Sequence, residues 1–226
     1  MDMQPARALR FKGAIFDLDG LLLDSEPIWR KAQRLAFDEL GAELTEGMQV
    51  ETTGLGLEAA MLIWKQWFPG IYLEEGWIRS RLVELALEGI RDAGHAKAGA
   101  HATIKICSEA GCKMAIASSS SMLFIQAALE RLGVAPFFQA IVSGEDEKNG
   151  KPHPAVYLAA AKRLGVMPGD CIAFEDSVHG LHSAKAAGMH CLAVPDKFHR
   201  KDPRFAIADL VMDSLEDFRS EWLFNA

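Results

Sequence analysis

The sequence predicts an α/β protein, a parallel sheet flanked by helices, with a helical segment inserted after the first strand. Two observations lead to this prediction. After Gly99, predicted helices alternate with short apolar strands, which is typical of a parallel sheet. Between residues 44 and 94, by contrast, apolar residues recur at helical spacing and no strand pattern interrupts them. The first strand, near Ile15, precedes this stretch and is expected to join the sheet formed after it.

The part before the alternation contains one strand and several helices. The apolar run Ala14–Phe16 is typical of a short buried strand. Ser25, Glu26 and Pro27 favour a helix start, because they supply a cap residue, an acid and a proline in the first turn. Gly41 favours the end of that helix. The predicted elements here are strand 14–16 and helices 25–40, 57–68 and 74–92.

The alternating part supplies the remaining strands of the sheet. The predicted helices are 101–110, 122–132, 155–164 and 181–187, and the strands that follow them are 113–117, 138–142, 171–174 and 191–194. In sheets of this kind, ligands bind beyond the carboxyl ends of the strands. Polar residues that directly follow a strand are therefore the candidate site residues.

Composition narrows the class of partner. The chain has 226 residues, of which 50% are hydrophobic and 24% are charged, as in ordinary globular enzymes. The net charge of −7 argues against a nucleic acid or an anionic membrane as the main partner. No targeting signal or membrane-spanning apolar run is evident, which favours a cytoplasmic protein. The four scattered cysteines are expected to be buried free thiols rather than zinc ligands.

The first strand ends in two carboxylates and a glycine, Asp17-Leu-Asp19-Gly20. Side chains two positions apart on an extended chain point the same way, so both acids are expected to reach one site. Two anions so close stay ionised only beside a cation, and a hard metal ion such as Mg²⁺ prefers oxygen ligands. One acid could also attack an electrophile while the other moves a proton. From this motif alone, a plain acidic turn remains an alternative.

Two further strand ends carry groups that suit a phosphate. Strand 113–117 leads into a run of serines that begins with Ser118 and Ser119, whose hydroxyl and backbone N–H groups can bind an anion. Lys151 follows the next strand between a glycine and a proline, and a stiff loop would fix its ammonium group. Taken alone, the serine run could simply cap a helix, and Lys151 could be an ordinary surface lysine.

A second acid pair completes the set. Glu175 and Asp176 follow strand 171–174 and open a helix, where acids are favourable even without a function. They would also complete the oxygen coordination begun by Asp17 and Asp19. Because acids, a hydroxyl, a lysine and acids follow different strands of one sheet, the sequence predicts a phosphate and magnesium site at that edge.

These motifs, in this order, resemble those of the haloacid dehalogenase-like hydrolases. Asp17-Leu-Asp19-Gly20 resembles the family's first motif, Ser118 the second, Lys151 the third, and Glu175-Asp176 the fourth. The resemblance covers nearly the whole chain. It implies a phosphoric monoester hydrolase that needs Mg²⁺ and acts on a small phosphorylated substrate. The chain is expected to be a monomer.

The resemblance also implies a domain organisation. Residues 1–22 and 97–226 would form a Rossmann-like α/β hydrolase core. Residues 23–96 would form a small helical cap domain that closes over the active site.

The same resemblance implies a role for each motif residue. Asp17 would attack phosphorus to form an aspartyl-phosphate, and Asp19 would protonate the departing alcohol and then activate water. The metal site would consist of Asp17, the carbonyl of Asp19, and Asp176, with Glu175 as its outer support. The phosphate would be bound by Ser118, the Ser119 N–H and Lys151.

Within the family, residues 20–27, 150–154 and 174–180 are most similar to phosphatases of 2-deoxyglucose 6-phosphate and hexitol phosphates. A β-phosphoglucomutase-like phosphomutase is one alternative, although mutases have a histidine near the position of Trp29. A pseudouridine or nucleotide 5′-phosphatase is another, and Asp19 argues against a dehalogenase. The substrate is expected to be selected near Trp29 and the loop Thr53–Gly56. A non-enzymatic phospho-receiver would be about half as long and lack the insert.

Overall fold

The computed structural model describes residues 8–52, 57–196 and 199–225, which divide into two compact units. The larger unit contains the described residues up to Leu23 and those from Ala96 onward, and the smaller contains those from Asp24 to His95. The loop Thr53–Gly56, predicted to help select the substrate, lies outside the described residues.

The larger unit is built on a six-stranded parallel sheet with the order β3-β2-β1-β4-β5-β6. The strands are β1 (Gly13–Phe16), β2 (Lys113–Ser118), β3 (Ala140–Ser143), β4 (Cys171–Glu175), β5 (His190–Ala193) and β6 (Leu210–Val211). Its α-helices are α5 (Ala100–Glu109), α6 (Met122–Leu132), α7 (Ala155–Leu164) and α8 (Val178–Ala186). Short 3₁₀ turns cover Ala135–Phe137, Gly144–Asp146, Pro168–Asp170, Pro203–Ile207, Leu215–Asp217 and Ser220–Leu223. The predicted α/β class with a parallel sheet is thus confirmed.

The central strand β1 places its carboxyl end between those of two neighbours. Ile15 pairs in register with Ala115 of β2 on one side and with Ala173 of β4 on the other. All of these residues are fully buried. Strands covered on both faces are apolar throughout rather than alternating, which explains the continuous apolar runs in the sequence.

The predicted elements are present, and two of them begin more than one residue away from the predicted start. The strand predicted from Phe138 begins at Ala140, because the Gln139 side chain accepts a hydrogen bond from Met114 N–H at 2.6 Å. The helix predicted from Leu181 begins at Val178, because Ser177 Oγ caps it by accepting from Gly180 N–H at 3.0 Å. Strand β6 was not predicted, since two residues are too few to show a pattern.

The smaller unit is helical, as the sequence predicts. Its helices are α1 (Glu26–Glu39), α2 (Glu46–Thr52), α3 (Leu57–Trp67) and α4 (Glu75–Ala93). Phe37 and Trp64 are buried in it and meet edge to face at a ring separation of 5.2 Å. Arg81 on α4 binds Glu39 on α1 through an ion pair. Helix α1 therefore packs against α3 through these rings and is joined to α4 by the ion pair.

None of the helices in the described part of the chain is long and apolar enough to cross a membrane. All four cysteines are free and buried, as the sequence predicts.

Candidate active site

The chain turns sharply after β1 to present the first motif. Asp17 directly follows the strand, and its N–H donates to the carbonyl of Phe174 on β4 at 3.0 Å. Gly20 has a φ of 79°, which favours glycine, and a Cβ there would lie 2.1 Å from Asp176 Oδ2. Glycine at this position therefore lets the turn pass directly beside the second acid pair.

Three carboxylates converge at the ends of β1 and β4. Carboxylate oxygens of Asp17, Glu175 and Asp176 all lie within 4.8 Å of one another, and Asp17 and Glu175 are buried. Lys151 reaches this group and places its Nζ 2.6 Å from Asp17 Oδ1 and 2.5 Å from Glu175 Oε1. One lysine thus faces three acids, which leaves an excess of negative charge in a buried place.

The pKa values reflect both burial and this charge imbalance. The pKa of Asp17 is raised from its ordinary 3.8 to about 8, chiefly by burial; Lys151 opposes the change, and Glu175 and Asp19 add to it. Burial also raises the pKa of Asp176, with Asp17 and Glu175 adding to the effect. Burial lowers the pKa of Lys151, but Asp17 and Glu175 outweigh it and hold the lysine charged.

The residues of this cluster fit a metal ion. The donor set is entirely carboxylate oxygen, the kind of ligand that hard divalent cations prefer. Among the residues that the structure describes, no hydrogen bond reaches the Asp176 carboxylate, which leaves its oxygens available to a cation. Burial and mutual repulsion together raise the pKa of Asp17 and Asp176, and an added positive charge would offset both effects.

Glu175 is engaged differently from the two aspartates. Its Oε1 accepts from Lys151 and from the buried Tyr157 hydroxyl, the latter at 2.7 Å. Its Oε2 accepts from the N–H groups of Asp176 and Ser177, both at 3.2 Å, and from Ser177 Oγ at 3.1 Å. With both oxygens occupied by protein donors, Glu175 is suited to hold Lys151 in place.

The serine loop follows β2 and carries the second motif. Ser118 is the buried last residue of the strand, and its Oγ accepts from the N–H of Ser120 at 3.2 Å. Ser119 is exposed. The Ser120 hydroxyl donates to Asp19 Oδ2 at 2.5 Å, and Ser121 Oγ caps α6 by accepting from Phe124 N–H. The run of serines therefore serves several separate purposes.

Most of the predicted site residues are linked by contacts at this edge of the sheet. Lys151 joins Asp17 to Glu175, and Ser120 joins Asp19 to Ser118. Tyr157, Ser120 and Ser143 were not among the predicted residues. A tyrosine among buried apolar positions of α7 was a usable signal, because a buried phenol needs a hydrogen-bond partner. No sequence signal distinguished Ser120 from its neighbours.

Comparison with known proteins agrees with these motifs. Residues 11–188 match the model of the haloacid dehalogenase-like hydrolase family. The chain belongs to this family. The resemblance inferred from the sequence is therefore confirmed.

The chain is similar to two characterised relatives and to one solved structure over most of its length. Hexitol phosphatase B of Escherichia coli (strain K12) is 33% identical over 215 residues, covering 94% of this chain and 96% of that protein. Fructose-1-phosphate phosphatase YqaB of the same strain is 29% identical over 196 residues, covering 82% and 97%. The crystal structure of CbbY from Rhodobacter sphaeroides in complex with phosphate matches with a TM-score of 0.79, 26% identity, and coverage of 92% and 96%.

The family match, together with relatives that carry phosphatase names, confirms the expectation that this chain is an enzyme, a phosphatase of the haloacid dehalogenase-like family.

Proposed function

We propose that this chain is a Mg²⁺-dependent phosphatase that hydrolyses a small sugar phosphate or sugar-alcohol phosphate through an aspartyl-phosphate intermediate. One observation carries the proposal. The Asp17 carboxylate lies 2.6 Å from the Lys151 ammonium and within 4.8 Å of the Glu175 and Asp176 carboxylate oxygens. A nucleophile, a fixed positive charge and a set of oxygen ligands thus meet at the edge of the sheet where ligands bind.

Asp17 is the nucleophile in this mechanism. Its carboxylate oxygen forms a bond to phosphorus as the bond from phosphorus to the alcohol oxygen breaks. Asp19 gives its proton to the departing oxygen, and then removes a proton from the water that hydrolyses the aspartyl-phosphate. The second step returns both aspartates to their starting states.

The remaining residues bind and orient the phosphate. Ser118 Oγ accepts from Ser120 N–H, so its own hydroxyl hydrogen remains to be donated to a phosphoryl oxygen. Lys151 is charged and fixed by Glu175, and it offsets negative charge on Asp17 and on the phosphate together. The Ser119 N–H supplies a further donor at the exposed end of the loop.

Asp17, the carbonyl of Asp19, and Asp176 would hold Mg²⁺, which supplies positive charge that offsets the charge of the phosphoryl oxygens. Glu175 would support this site from outside, because its oxygens already accept hydrogen bonds from protein groups.

The names of the relatives support a sugar or sugar-alcohol leaving group, since one is a hexitol phosphatase and another a fructose-1-phosphate phosphatase. A phosphomutase is less favoured, because Trp29 stands near the position where mutases have a histidine. A pseudouridine or nucleotide 5′-phosphatase differs only in the leaving group. Membership of a hydrolase family argues against the alternative that the chain is a non-enzymatic phospho-receiver.

The test is phosphate release from a panel of esters with Mg²⁺ or EDTA, for the wild type, Asp17→Asn and Asp19→Asn. The panel contains 2-deoxyglucose 6-phosphate, mannitol and sorbitol phosphates, pseudouridine 5′-phosphate and β-glucose 1-phosphate. We expect Mg²⁺-dependent release that is nearly abolished in Asp17→Asn, with the circular dichroism spectrum unchanged. Asp19→Asn is expected to lose activity heavily while its Mg²⁺ binding persists.

Substantial activity in Asp17→Asn would rule out Asp17 as the nucleophile. Near-normal turnover by Asp19→Asn would leave Asp19 with a backbone role alone. Conversion of β-glucose 1-phosphate to the 6-phosphate, without release of phosphate, would identify a mutase instead.

A further inference from the structure

Ser120 is the third serine of the loop, and all of its polar groups are engaged. Its hydroxyl donates to Asp19 Oδ2 at 2.5 Å, and its N–H donates to Ser118 Oγ at 3.2 Å. Its carbonyl accepts from Ser143 Oγ at 2.7 Å. A hydrogen bond from a hydroxyl to an ionised carboxylate is among the stronger kinds, so the contact to Asp19 fixes the orientation of that side chain.

Ser143 supports this arrangement from the neighbouring strand. It is the buried last residue of β3 and pairs in register with Ser118 at the end of β2. Its Oγ also accepts from Glu145 N–H at 3.2 Å. With that bond made, the hydroxyl hydrogen of Ser143 points to the Ser120 carbonyl. Ser143, at the end of β3, therefore fixes the backbone of Ser120, and the Ser120 side chain in turn holds Asp19.

We propose that Ser120 is a positioning residue for Asp19, held in turn by Ser143, and that it aims the Asp19 carboxyl group at the oxygen of the leaving alcohol. This inference rests on the proposed phosphatase function and extends it. It assigns the serine loop a second task beside phosphate binding.

The chemistry of the leaving group distinguishes this role from a structural one. When the bond between phosphorus and oxygen breaks, the departing oxygen keeps the electron pair and takes the proton of Asp19. A sugar alcohol is a strongly basic leaving group and depends on that proton, whereas p-nitrophenol leaves as a stable anion and depends on it little. Misplacing Asp19 should therefore slow alkyl phosphates selectively.

The experiment measures kcat/KM for sorbitol 6-phosphate and for p-nitrophenyl phosphate. The parameter kcat/KM is chosen because it reports the step that forms the aspartyl-phosphate. We expect Ser120→Ala to lower the value for the sugar ester about 10- to 100-fold and that for the aryl ester no more than about threefold. Ser120→Thr keeps a hydroxyl and should restore most of the loss. Ser143→Ala should show the same selectivity to a smaller degree.

Ser121→Ala is the matched control, because it changes the adjacent serine, whose side chain caps α6 by accepting from Phe124 N–H. Any effect of loop disturbance in that variant should fall on both esters alike. Equal losses on both esters in Ser120→Ala, or no loss on either, would overturn the inference while the wild type remains an active phosphatase. A wild type that hydrolyses neither ester would instead overturn the proposed function and the inference with it.

Discussion

Asp17 holds a proton more tightly in the folded metal-free protein than in the unfolded chain, because burial raises its pKa from 3.8 to about 8. The folded state then binds more protons than the unfolded state at pH values between these two limits. Linkage requires the free energy of unfolding to fall as the pH rises through this range. The raised pKa of Asp176 acts in the same direction.

We therefore predict that protein in EDTA loses stability to urea between about pH 5 and about pH 8. Added Mg²⁺ should stabilise the protein more at the higher pH, because the ion competes with protons for the same oxygens. Urea midpoints with and without Mg²⁺ measure both effects. Asp17→Asn is the control, since an amide binds no proton, and it should flatten the slope in EDTA. An equal slope in both proteins would contradict the pKa assigned to Asp17.

Tyr157 provides a second prediction for a single residue. Its buried hydroxyl donates to Glu175 Oε1 at 2.7 Å, and its ring lies 5.2 Å from Lys151 Nζ. Tyr157→Phe removes the hydroxyl and keeps the ring, so a donor to a buried charged group is lost. We expect the free energy of unfolding to fall by about 1.5–3 kcal/mol in urea titrations. Tyr72→Phe, at a position that is 85% exposed, should change it by less than about 0.5 kcal/mol. Equal stability of all three proteins would show that the hydroxyl contributes nothing.

Helix α8 begins shortly after the second acid pair, and a glycine in its first turn allows the helix to pack closely against Glu175. A Cβ at Gly180 would lie 1.8 Å from Glu175 Oε1, so the helix can approach Glu175 only without a side chain there. Glu175 cannot move aside freely, because Lys151, Tyr157 and Ser177 all donate to it. The start of α8 and the geometry of the acid pair are therefore set together.

Gly180→Ala should consequently reverse the usual effect of this substitution. Alanine in a helix normally stabilises by roughly 0.5–1 kcal/mol relative to glycine. Here we expect a loss of about 1–3 kcal/mol from overpacking, together with a fall in phosphatase activity as Glu175 and Lys151 shift. Gly47→Ala in α2 is the control, because the nearest atom to a Cβ there is 4.0 Å away. A stability gain in both variants, by urea unfolding, would contradict the close approach.

The elements that the sequence predicts well are those whose signal is local. Strands β1 and β4 were predicted with their motifs because each is an apolar run that ends in acids. Burial on both faces makes the strand continuously apolar, and the ligand-binding edge of the sheet places the polar residues directly after it. The supporting contacts were not predictable in this way. Tyr157 and Glu175 are 18 positions apart, and Ser120 and Ser143 are 23 apart. Such pairs form only once α7 and β3 have packed, so no periodicity in the sequence predicts these contacts.

At the scale of the whole molecule, the helical unit is a continuous segment that leaves and rejoins the larger unit at one place. Asp24 N–H donates to the carbonyl of His95 at 3.1 Å, and Lys97 N–H donates to the carbonyl of Leu22 at 2.9 Å. Leu23 and Ala96 form an antiparallel bridge between these bonds. The two connecting segments of the chain thus run side by side, and Leu23 and Ala96 are close enough to be joined by a short linker.

We predict that a variant lacking residues 24–95, with Leu23 linked to Ala96 by a short glycine linker, still folds. The six-stranded sheet and the acids at its edge all belong to the larger unit, so the proposed metal site should survive the deletion. Cooperative urea unfolding, with a midpoint that Mg²⁺ raises, is the expected result. The same deletion combined with Asp17→Asn and Asp176→Asn should fold and lose the response to Mg²⁺. Aggregation or non-cooperative unfolding of both variants would show that the helical unit is needed for the larger one to fold, and so argue against a separate domain.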